Sequence, residues 1–433
     1  KKEFRIKMKT IAVGLIAVMM GLTLLPNTWA DEFEVIPSVL VREEYNSNIF
    51  FTKNDKIDDF ITTLAGSLEL IERTERVNAN LYGRVAPFWY ADNSDLDDTD
   101  WLVRGNADYQ FTPLFKAGAR AGYLVDHRPD RDADVTGLIL GTRERKRWDA
   151  GLGAEYSFNE ITAANLTYAF RDENWDSGSI DDVKAHDINL GFTRNLSGWW
   201  ETTIARINFG YGYYDYDTSD TDIAYGSVGL EHRFTEKFSA LLDMGPRYSH
   251  SDFDTIRLQE MSPGVFQPVV VTDSDSQWGG VGRLDLDYRA EKTFSRLTAS
   301  HGLYPVSGRP GPTERTTARL NVTHLFAEKF RVSLPLGWIR NRADGDQFSV
   351  DEIDQDTAYV GPFVRWEFYD GFTLEGRYNF TYVWDHDDDQ ERYRHLAFVQ
   401  LAYGLSLFDL FRDFDPVRGG RPGFAFDQVR YGR

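Results

Sequence analysis

One short segment of the chain places three catalytic residue types side by side. Ser249, His250, Ser251 and Asp252 bring hydroxyls, an imidazole and a carboxylate into four consecutive positions. These are the groups of a hydrolase triad, but a triad is defined by its geometry and not by adjacency along the chain. The segment keeps a hydrolase as an alternative function. The chain is not predicted to be an enzyme, and no catalytic residue is assigned.

Clustered aspartates offer a second kind of chemistry, because carboxylate oxygens are the ligands that Ca²⁺ and Mg²⁺ prefer. Neither cluster has the spacing or the glycine of a defined calcium loop. We interpret both as solvated acidic surface and assign no metal site. The two clusters are Asp92, Asp95, Asp97, Asp98 and Asp100, and Asp385, Asp387, Asp388 and Asp389.

The composition limits both the cofactors and the fold. The chain has 433 residues, no cysteine, 15% aromatic residues and a formal net charge of −20. The absence of cysteine excludes disulfides, thiolate metal sites, iron–sulfur clusters and covalently attached c-type haem, and no cofactor is predicted. An aromatic-rich chain whose mean hydropathy is only −0.45 indicates a fold with two surfaces of different polarity.

Apolar and polar residues alternate with a period of two in one stretch after another from Val35 to Phe408. This period places successive side chains on opposite faces of a β-strand. One face is apolar, with aromatic residues towards the strand ends, and the other is small, polar or charged. In one such stretch, Phe372, Leu374, Gly376, Tyr378 and Phe380 alternate with Thr373, Glu375, Arg377, Asn379 and Thr381.

The connections between these stretches fall into two classes. Short turns are framed by phenylalanines, at Phe111 and Phe115, Phe234 and Phe238, Phe326 and Phe330, and Phe368 and Phe372. Longer, acidic connections are Asp92–Asp100, Arg128–Arg145, Asn174–Val183, Ser251–Ser276, Ala343–Asp356 and Asp385–Glu391. Short turns at one end, long loops at the other and aromatic girdles between them are typical of outer-membrane barrels. In hydrocarbon every backbone group must be paired, so the sheet must close.

We therefore predict an all-β fold, a transmembrane antiparallel up-and-down β-barrel of about 18 strands, with 16 as the alternative. Lys7 and Lys9 precede an apolar run, Ile11–Leu25, and small residues at Thr28 and Ala30 complete a cleavable secretory signal peptide. Residues 1–30 are assigned to this signal peptide with an upstream extension, 31–408 to the barrel and 409–433 to a periplasmic tail. An even number of strands places both ends of the barrel on the periplasmic side.

If the apolar face meets lipid, the other face lines the lumen. Charges of both signs there predict a wet interior, since burying unpaired ions costs several kcal/mol each. A barrel of about 16–18 strands is wide enough for an aqueous channel. Alternatively, some of these charges pair and only brace the wall. The pore-lining candidates are Arg84, Arg104, Asp108, Arg120, Glu155, Arg206, Glu231, Arg233, Arg247, Arg283, Asp285, Asp287, Arg319, Arg331, Arg365, Glu375 and Arg377.

The segment Pro37–Phe50 resembles the first strand of the putative beta-barrel porin 2 family, in which a strand ends in a Tyr-Asn/Asp-x-Asn-Ile/Val-Phe pattern. The residues that carry the pattern here are Tyr45, Asn46, Asn48, Ile49 and Phe50. The phenylalanine-framed turns are also similar to that family, so the likeness would extend over 31–408. The resemblance implies a long outer-membrane barrel without catalytic residues, and exopolysaccharide export as one function.

The predicted function is a porin-like channel for hydrophilic solutes in the outer membrane of a Gram-negative cell, with polysaccharide export as its specific form. The alternative from another class is a structural sheath around a periplasmic or multihaem cytochrome partner. Expected partners are outer-membrane lipid and lipopolysaccharide, through Mg²⁺ or Ca²⁺ on the acidic loops, and the barrel-assembly machinery. A periplasmic export partner or a cytochrome partner is the open alternative, and no nucleic acid is expected.

Overall fold

The computed structural model describes residues 33–404, apart from 129–135, 138–142, 178–179, 263, 307, 346, 349–351 and 388. The predicted signal peptide and the predicted periplasmic tail lie outside the described residues. The elements within the described residues are β-strands, apart from one short helical turn at Ser94–Leu96. No helix among the described residues is long and apolar enough to cross a membrane.

The strands form one antiparallel sheet in which neighbours along the chain are neighbours in space. The last strand pairs with the first, from Ser38 opposite Gly404 to Asn46 opposite Leu396, so the sheet closes into a barrel. The strands are β1 (Phe33–Asn46), β2 (Asp59–Arg73), β3 (Val77–Tyr90), β4 (Asp98–Thr112), β5 (Phe115–Asp126), β6 (Arg145–Asn159), β7 (Thr162–Trp175), β8 (Val183–Asn195), β9 (Thr203–Tyr216), β10 (Ser219–Arg233), β11 (Phe238–Ser262), β12 (Val265–Arg289), β13 (Thr293–Tyr304), β14 (Thr313–Ala327), β15 (Phe330–Ala343), β16 (Ile353–Val360), β17 (Phe363–Tyr369), β18 (Phe372–Asp385) and β19 (Gln390–Gly404).

Two of these segments, β16 and β17, are one strand with an interruption, because both lie between β15 and β18. The break falls at Gly361 and Pro362, opposite Pro335 of β15. Proline has no backbone N–H to donate to a ladder, and here Pro335 and Pro362 stand at adjacent positions of the same strand pair. Counted around the barrel there are 18 strands, which confirms the predicted fold class.

The two faces of the sheet differ as predicted from the alternation. On the outer face large apolar side chains stand exposed, for example Trp148 and Leu152 of β6 and Val228 of β10, which are 54%, 58% and 62% exposed. The inner face carries small, polar and charged residues. An exposed apolar surface of this extent is abnormal for a soluble monomer and fits contact with lipid.

The short turns lie together at one end of the barrel, called here the short-turn end. The phenylalanines that frame them pack in pairs on the outer face. Ring centroids are 5.3 Å apart for Phe111 and Phe115, 5.5 Å for Phe234 and Phe238, 5.9 Å for Phe326 and Phe330, and 6.0 Å for Phe368 and Phe372. This is the aromatic girdle predicted for one membrane interface.

At the opposite, long-loop end, the prediction of a loop over Ser251–Ser276 is wrong. These residues continue β11 and β12 as a paired hairpin, from Ser251 opposite Asp275 to Ser262 opposite Val265. The hairpin extends beyond the barrel wall, because β10 pairs with β11 only as far as Phe253. β-branched residues of high strand propensity support the extension, and Gly264 turns it with a φ of +79°.

Candidate channel through the barrel

All seventeen predicted pore-lining residues lie on the inner face, alternating with the exposed apolar residues of their strands. Arg104, for instance, follows Val103, which is 53% exposed on the outer face. The register pairs inner residues with inner residues around the barrel, as with Asp243 opposite Arg283. That these residues line a conducting path stays a prediction.

Over much of the barrel the inner charges form one-to-one ion pairs between or along neighbouring strands. A surface paired in this way is polar but locally neutral, and it braces the wall as well as wetting it. The pairs are Lys116 with Glu155 at 3.1 Å, Arg206 with Glu231, Arg283 with Asp285 at 2.7 Å and Arg296 with Asp287 at 2.6 Å. The ion pairs support the bracing interpretation for these residues, and the wet lumen stays a prediction.

The connection between β5 and β6 enters the lumen, and Arg128 fixes its first part. The Arg128 guanidinium donates to the carboxylate of Glu44 on β1, and both side chains are almost fully buried. The Arg128 guanidinium also lies 5.9 Å from the ring of Tyr90. A buried ion pair of this kind is sensitive to the loss of either partner, because the remaining charge would be left without compensation.

Further along, the same connection contacts the opposite wall. The Asn341 side chain of β15 donates to the carbonyl oxygen of Thr136 at 2.9 Å. The carbonyl oxygen of Gly137 accepts from Gln355 Nε2 at 2.6 Å and Thr357 Oγ1 at 2.7 Å, both on β16. Since β5 and β6 lie across the barrel from β15 and β16 in the strand order, Thr136 and Gly137 lie against the wall opposite β5 and β6, at the long-loop end.

Two other long connections also fold inward. The backbone N–H of Val306, between β13 and β14, donates to Tyr216 Oη of β9 at 3.1 Å. Phe348, between β15 and β16, is buried in the same apolar cluster as Val306, Tyr216 and Val183. These contacts join the described parts of the connections to distant strands, so side chains of the connections occupy space inside the barrel towards the long-loop end.

His127 lies at the root of the β5–β6 connection and is surrounded by carboxylates. Its Nδ1 is 3.3 Å from Asp100, and its Nε2 is 3.3 Å from both Asp98 and Glu144. Partial burial disfavours the charged ring, but the three carboxylates outweigh this effect and raise the pKa of His127. The His127 ring thus joins the start of β4 to the residue that precedes β6.

The hydrolase alternative is not supported by the arrangement of its residues. His250 points to the outer face of β11, whereas Ser249 and Ser251 are buried on the inner face. His250 Nδ1 instead lies 2.8 Å from the hydroxyl of Ser276, its partner across the β11–β12 ladder. Asp252 is 3.7 Å from the ring. The hydroxyl and imidazole stabilise the hairpin as a cross-strand pair.

Each aspartate cluster contributes a carboxylate that accepts a backbone hydrogen bond: Asp97 accepts from the N–H of Tyr90 at 2.8 Å, and Asp387 accepts from the N–H of Asp354 at 3.0 Å. Asp59 of β2, outside both clusters, accepts hydrogen bonds from the backbone N–H groups of Ala91, Asp92 and Asn93 and so holds the β3–β4 connection. Asp388 lies outside the described residues. Across the part of the chain that the structure describes, no three His, Asp or Glu side chains are grouped to hold a metal ion.

Sequence reasoning missed several inner residues. Arg42 and Glu44 of β1 and Arg394 and Gln400 of β19 follow the same alternation, so the period of two could have identified them. Arg128 could not be found in this way, because it lies in a connection, where no periodicity relates side-chain direction to position.

These features define a porin-like β-barrel: a closed antiparallel sheet, apolar outside and charged inside. The model of the putative beta-barrel porin 2 family matches residues 30–189, less than half of the chain. The match confirms the predicted resemblance over that segment, which includes Tyr45 and Asn46, and does not test its extension to residue 408. No curated protein sequence matches the chain.

Several solved structures are similar to this chain at low identity. OccAB4 of Acinetobacter baumannii has 10% identity and a TM-score of 0.44, with 86% of this chain and 98% of that chain covered. The outer membrane protein opdK of Pseudomonas aeruginosa has 10% identity and a TM-score of 0.44, with 86% and 99% covered. The unliganded ferric citrate transporter FecA has 11% identity and a TM-score of 0.45, with 83% and 61% covered. Scores at this level carry no information on what this chain transports.

Proposed function

We propose that the protein is an outer-membrane channel that conducts hydrophilic solutes, and that saccharide chains exported from the periplasm are its specific cargo. The observation that carries the proposal is the contrast between the two faces of the closed sheet. Apolar side chains cover the outside, while Lys116, Arg206, Glu231 and Arg283 stay partly exposed to the enclosed space. Charged residues that remain hydrated inside a barrel favour a water-filled path.

The outer-membrane location rests on the exposed apolar face and the phenylalanine pairs at the short-turn end, because such barrels are the β-structures that span lipid. A cleavable signal peptide over residues 1–30 would deliver the chain to the periplasm, where the barrel-assembly machinery acts. Acidic residues at the long-loop end would bind lipopolysaccharide through divalent cations.

A channel is favoured over a sheath around a multihaem partner by the contacts inside the barrel. A sheath needs a wide, unobstructed bore, whereas Thr136 and Gly137 are hydrogen-bonded to the wall opposite their own strands. The apolar cluster around Val306 and Phe348 occupies further space near the long-loop end. A narrowed lumen suits a flexible polymer or small solutes better than a folded subunit.

Reconstitution in planar bilayers tests the channel. We expect stepwise conductance, and a silent barrel would contradict the proposal. Because the chain has no cysteine, neighbouring single-cysteine variants can separate the two faces. A charged thiosulfonate reagent should reduce the current through Arg104→Cys, whose side chain faces inward, and leave the current through Val103→Cys unchanged.

The export function needs a separate experiment in cells. We expect deletion of the gene to abolish surface polysaccharide and to leave the uptake of small solutes intact. Unchanged surface polysaccharide would dismiss export, and loss of small-solute uptake alone would identify a general diffusion channel.

A further inference from the structure

The hairpin that β11 and β12 form beyond the barrel wall has an apolar surface on one face. The alternation of the wall continues into the hairpin, so this face is the one that meets lipid lower down on the same strands. The opposite face is mixed, with Arg257 and Gln259 beside two valines. Four large side chains of the apolar face are 57–71% exposed, and we call them the hairpin patch: Ile256, Leu258, Phe266 and Val270.

The hairpin patch lies too far along the strands to be covered by lipid. The rings of Tyr248 and Trp278, with centroids 5.3 Å apart, mark the membrane interface on this side of the barrel. From Trp278 to Val270 the same face of β12 carries only the hydroxyl residues of the segment Thr272–Ser276. This stretch places the patch about 25 Å along a strand tilted by about 45°, or roughly 18 Å higher. The headgroup layer is only about 5–8 Å deep, so the patch stands in an aqueous layer.

The neighbouring strands do not cover the patch. β10 pairs with β11 only as far as Phe253, and β13 pairs with β12 only from Gly282 to Arg289. Above these positions the described part of the hairpin is a ribbon of two strands. Such a ribbon is marginally stable by itself in water, and an apolar face that protrudes into water indicates an interaction surface.

The area of the patch decides what kind of partner could cover it. At about 25 cal/mol per Å² and about 1.5–3 kcal/mol per buried side chain, four side chains contribute roughly 250–500 Å². A stable interface takes about 800 Å² from each partner. A partner that binds stably must therefore also contact the strands below the patch, and that part of their surface faces lipid.

The lipid-facing surface below the patch is built from small residues. Pro246 of β11 stands directly opposite Gly280 of β12, and Gly282 follows on the same face. A Cβ at Gly280 or Gly282 would have no atom closer than 3.8 Å, and neither residue has a positive φ. The barrel itself therefore has room for larger side chains here. Glycine weakens a strand and often marks a place where another backbone approaches closely.

Small residues face outward elsewhere too, for example Gly83 of β3 and Ala121 of β5. Among the described strands, however, only β11 and β12, with 25 residues each, continue beyond the wall. Only there do small outward residues lie beneath an apolar strand face that stands above the membrane. The two features together, one at each height, define a single continuous surface.

We propose that two copies of this chain associate side by side through β11 and β12. Their hairpin patches pack face to face above the membrane, and the surfaces around Gly280 and Gly282 meet within it. Any partner must stand in the membrane and also present an apolar surface at the height of the patch. A second copy in the same orientation meets both conditions, since a two-fold axis normal to the membrane places each patch on its equivalent.

The charged band between the two contacts does not prevent this packing. Asp252 and Asp254 lie on the same face as the patch, and each would face its equivalent through solvent, where salt screens the repulsion. The association concerns assembly alone, so it is independent of what the barrel conducts.

Cross-linking in intact cells tests the association, because a chain without cysteine allows single-cysteine probes. A bis-maleimide that spans about 10 Å, the spacing of packed sheets, should convert Leu258→Cys into a covalent dimer. Gln259→Cys is the matched control, because it is the next residue and lies on the opposite face of the hairpin. It should give far less dimer.

Sedimentation in detergent measures the strength of the association. Gly280→Leu with Gly282→Leu should raise the dissociation constant of the dimer at least about tenfold, which corresponds to about 1.4 kcal/mol. Gly83→Leu with Gly376→Leu is the matched control, because these glycines also face outward and a Cβ at either has no atom within 4 Å. This control should leave the dissociation constant unchanged.

Replacing Ile256–Val270 with an Asn-Gly turn should abolish the dimer, while the unfolding of single barrels, one to a vesicle, should stay unchanged. A wild-type protein that sediments as a monomer at every concentration would overturn the proposal, as would equal cross-linking of Leu258→Cys and Gln259→Cys. A cross-linked product that mass spectrometry shows to contain a different protein would assign the surface to that protein and overturn it as well.

Discussion

At the scale of single residues, the stability of the inner face depends on which charges are buried. The Arg128–Glu44 pair is almost fully buried, whereas Arg342 and Asp344, paired at 3.1 Å, are each 58% exposed. Glu44→Gln should lower the free energy of unfolding by about 3–5 kcal/mol, because it leaves a buried guanidinium uncompensated. Arg128→Gln with Glu44→Gln should be less damaging than Glu44→Gln alone.

Denaturant titration in lipid vesicles measures these changes. Asp344→Asn is the control and should leave unfolding unchanged, because exposed pairs contribute little. An equal loss of unfolding free energy in Asp344→Asn and Glu44→Gln would show that the Arg128–Glu44 pair does not hold the β5–β6 connection.

His127 should make the β5–β6 connection depend on pH. Its folded-state pKa is raised above the ordinary value of 6.5 by the nearby carboxylates, against the effect of burial. A group with a raised pKa contributes its stability fully below the unfolded pKa, and this contribution is lost as pH rises through the folded value. The difference in unfolding midpoint between the wild type and His127→Gln should be largest below about pH 6.5 and should shrink at higher pH.

His324→Gln provides the comparison for this measurement, because the His324 ring contacts the hydroxyl of Thr293 and the ring of Phe326 instead of carboxylates. A difference that grows with pH, or that is equally pH-dependent in the His324 variant, would contradict the assignment.

At the scale of elements, the sequence predicts strands far better than it predicts connections. The alternation of apolar and polar residues identifies the face of the sheet on which each strand residue lies. This is why Arg84 and Glu375 could be assigned to the inner face. Nothing comparable marks Thr136 and Gly137, because their contacts are with strands that lie far away in the chain. The hairpin over Ser251–Ser276 was predicted as a loop because its acidic residues resemble those of the true loops, while its valines and isoleucine fit a strand.

Gly137 should be the critical contact of the β5–β6 connection. Its φ is +73°, and a Cβ there would lie 2.7 Å from Asn341 Nδ2 and 2.7 Å from Ile339 Cγ2. Gly137→Ala should displace the connection from the wall and cost about 1–3 kcal/mol through crowding, in addition to the backbone penalty. Gly264→Ala is the control, because Gly264 has a φ of +79° and no atom within 4 Å of its Cβ position.

The free energy of unfolding should therefore be lower for Gly137→Ala than for Gly264→Ala. Single-channel recordings should show larger or noisier current steps for Gly137→Ala alone. The same unfolding cost in both variants would mean that the contact with β15 does not constrain the connection.

The hairpin that β11 and β12 extend beyond the wall should be dispensable for the barrel. Beyond Phe253, β11 and β12 are hydrogen-bonded to each other and no longer to β10. Replacing Ile256–Val270 with an Asn-Gly turn, which suits a two-residue hairpin, should leave both the unfolding midpoint and the conductance at wild-type values. A collapsed or unfolded barrel would show instead that the extension takes part in closing the sheet.

At the scale of the whole molecule, the closure of the sheet and the approximate number of strands could be predicted from the sequence. Both follow from a sheet that contacts hydrocarbon with one face and water with the other. Each alternating stretch adds one strand, and an even count returns the chain to its starting end. The lumen's width was not accessible, because it depends on how the connections between Asp126 and Arg145 and between Ala343 and Ile353 fold inward. Their direction is set by tertiary contacts such as those of Arg128 and Phe348.

The same reasoning predicts the orientation of the protein in the membrane. With both ends of the barrel in the periplasm, the long-loop end must face the exterior, and the turns framed by phenylalanines must face the periplasm. Because the chain contains no cysteine, a single cysteine is a clean probe. A membrane-impermeant maleimide added to intact cells should label Ser262→Cys, at the tip of the extended hairpin. It should label Glu236→Cys, in the turn between Phe234 and Phe238, only after the outer membrane is permeabilised. The reverse pattern would invert the barrel and place the long connections in the periplasm.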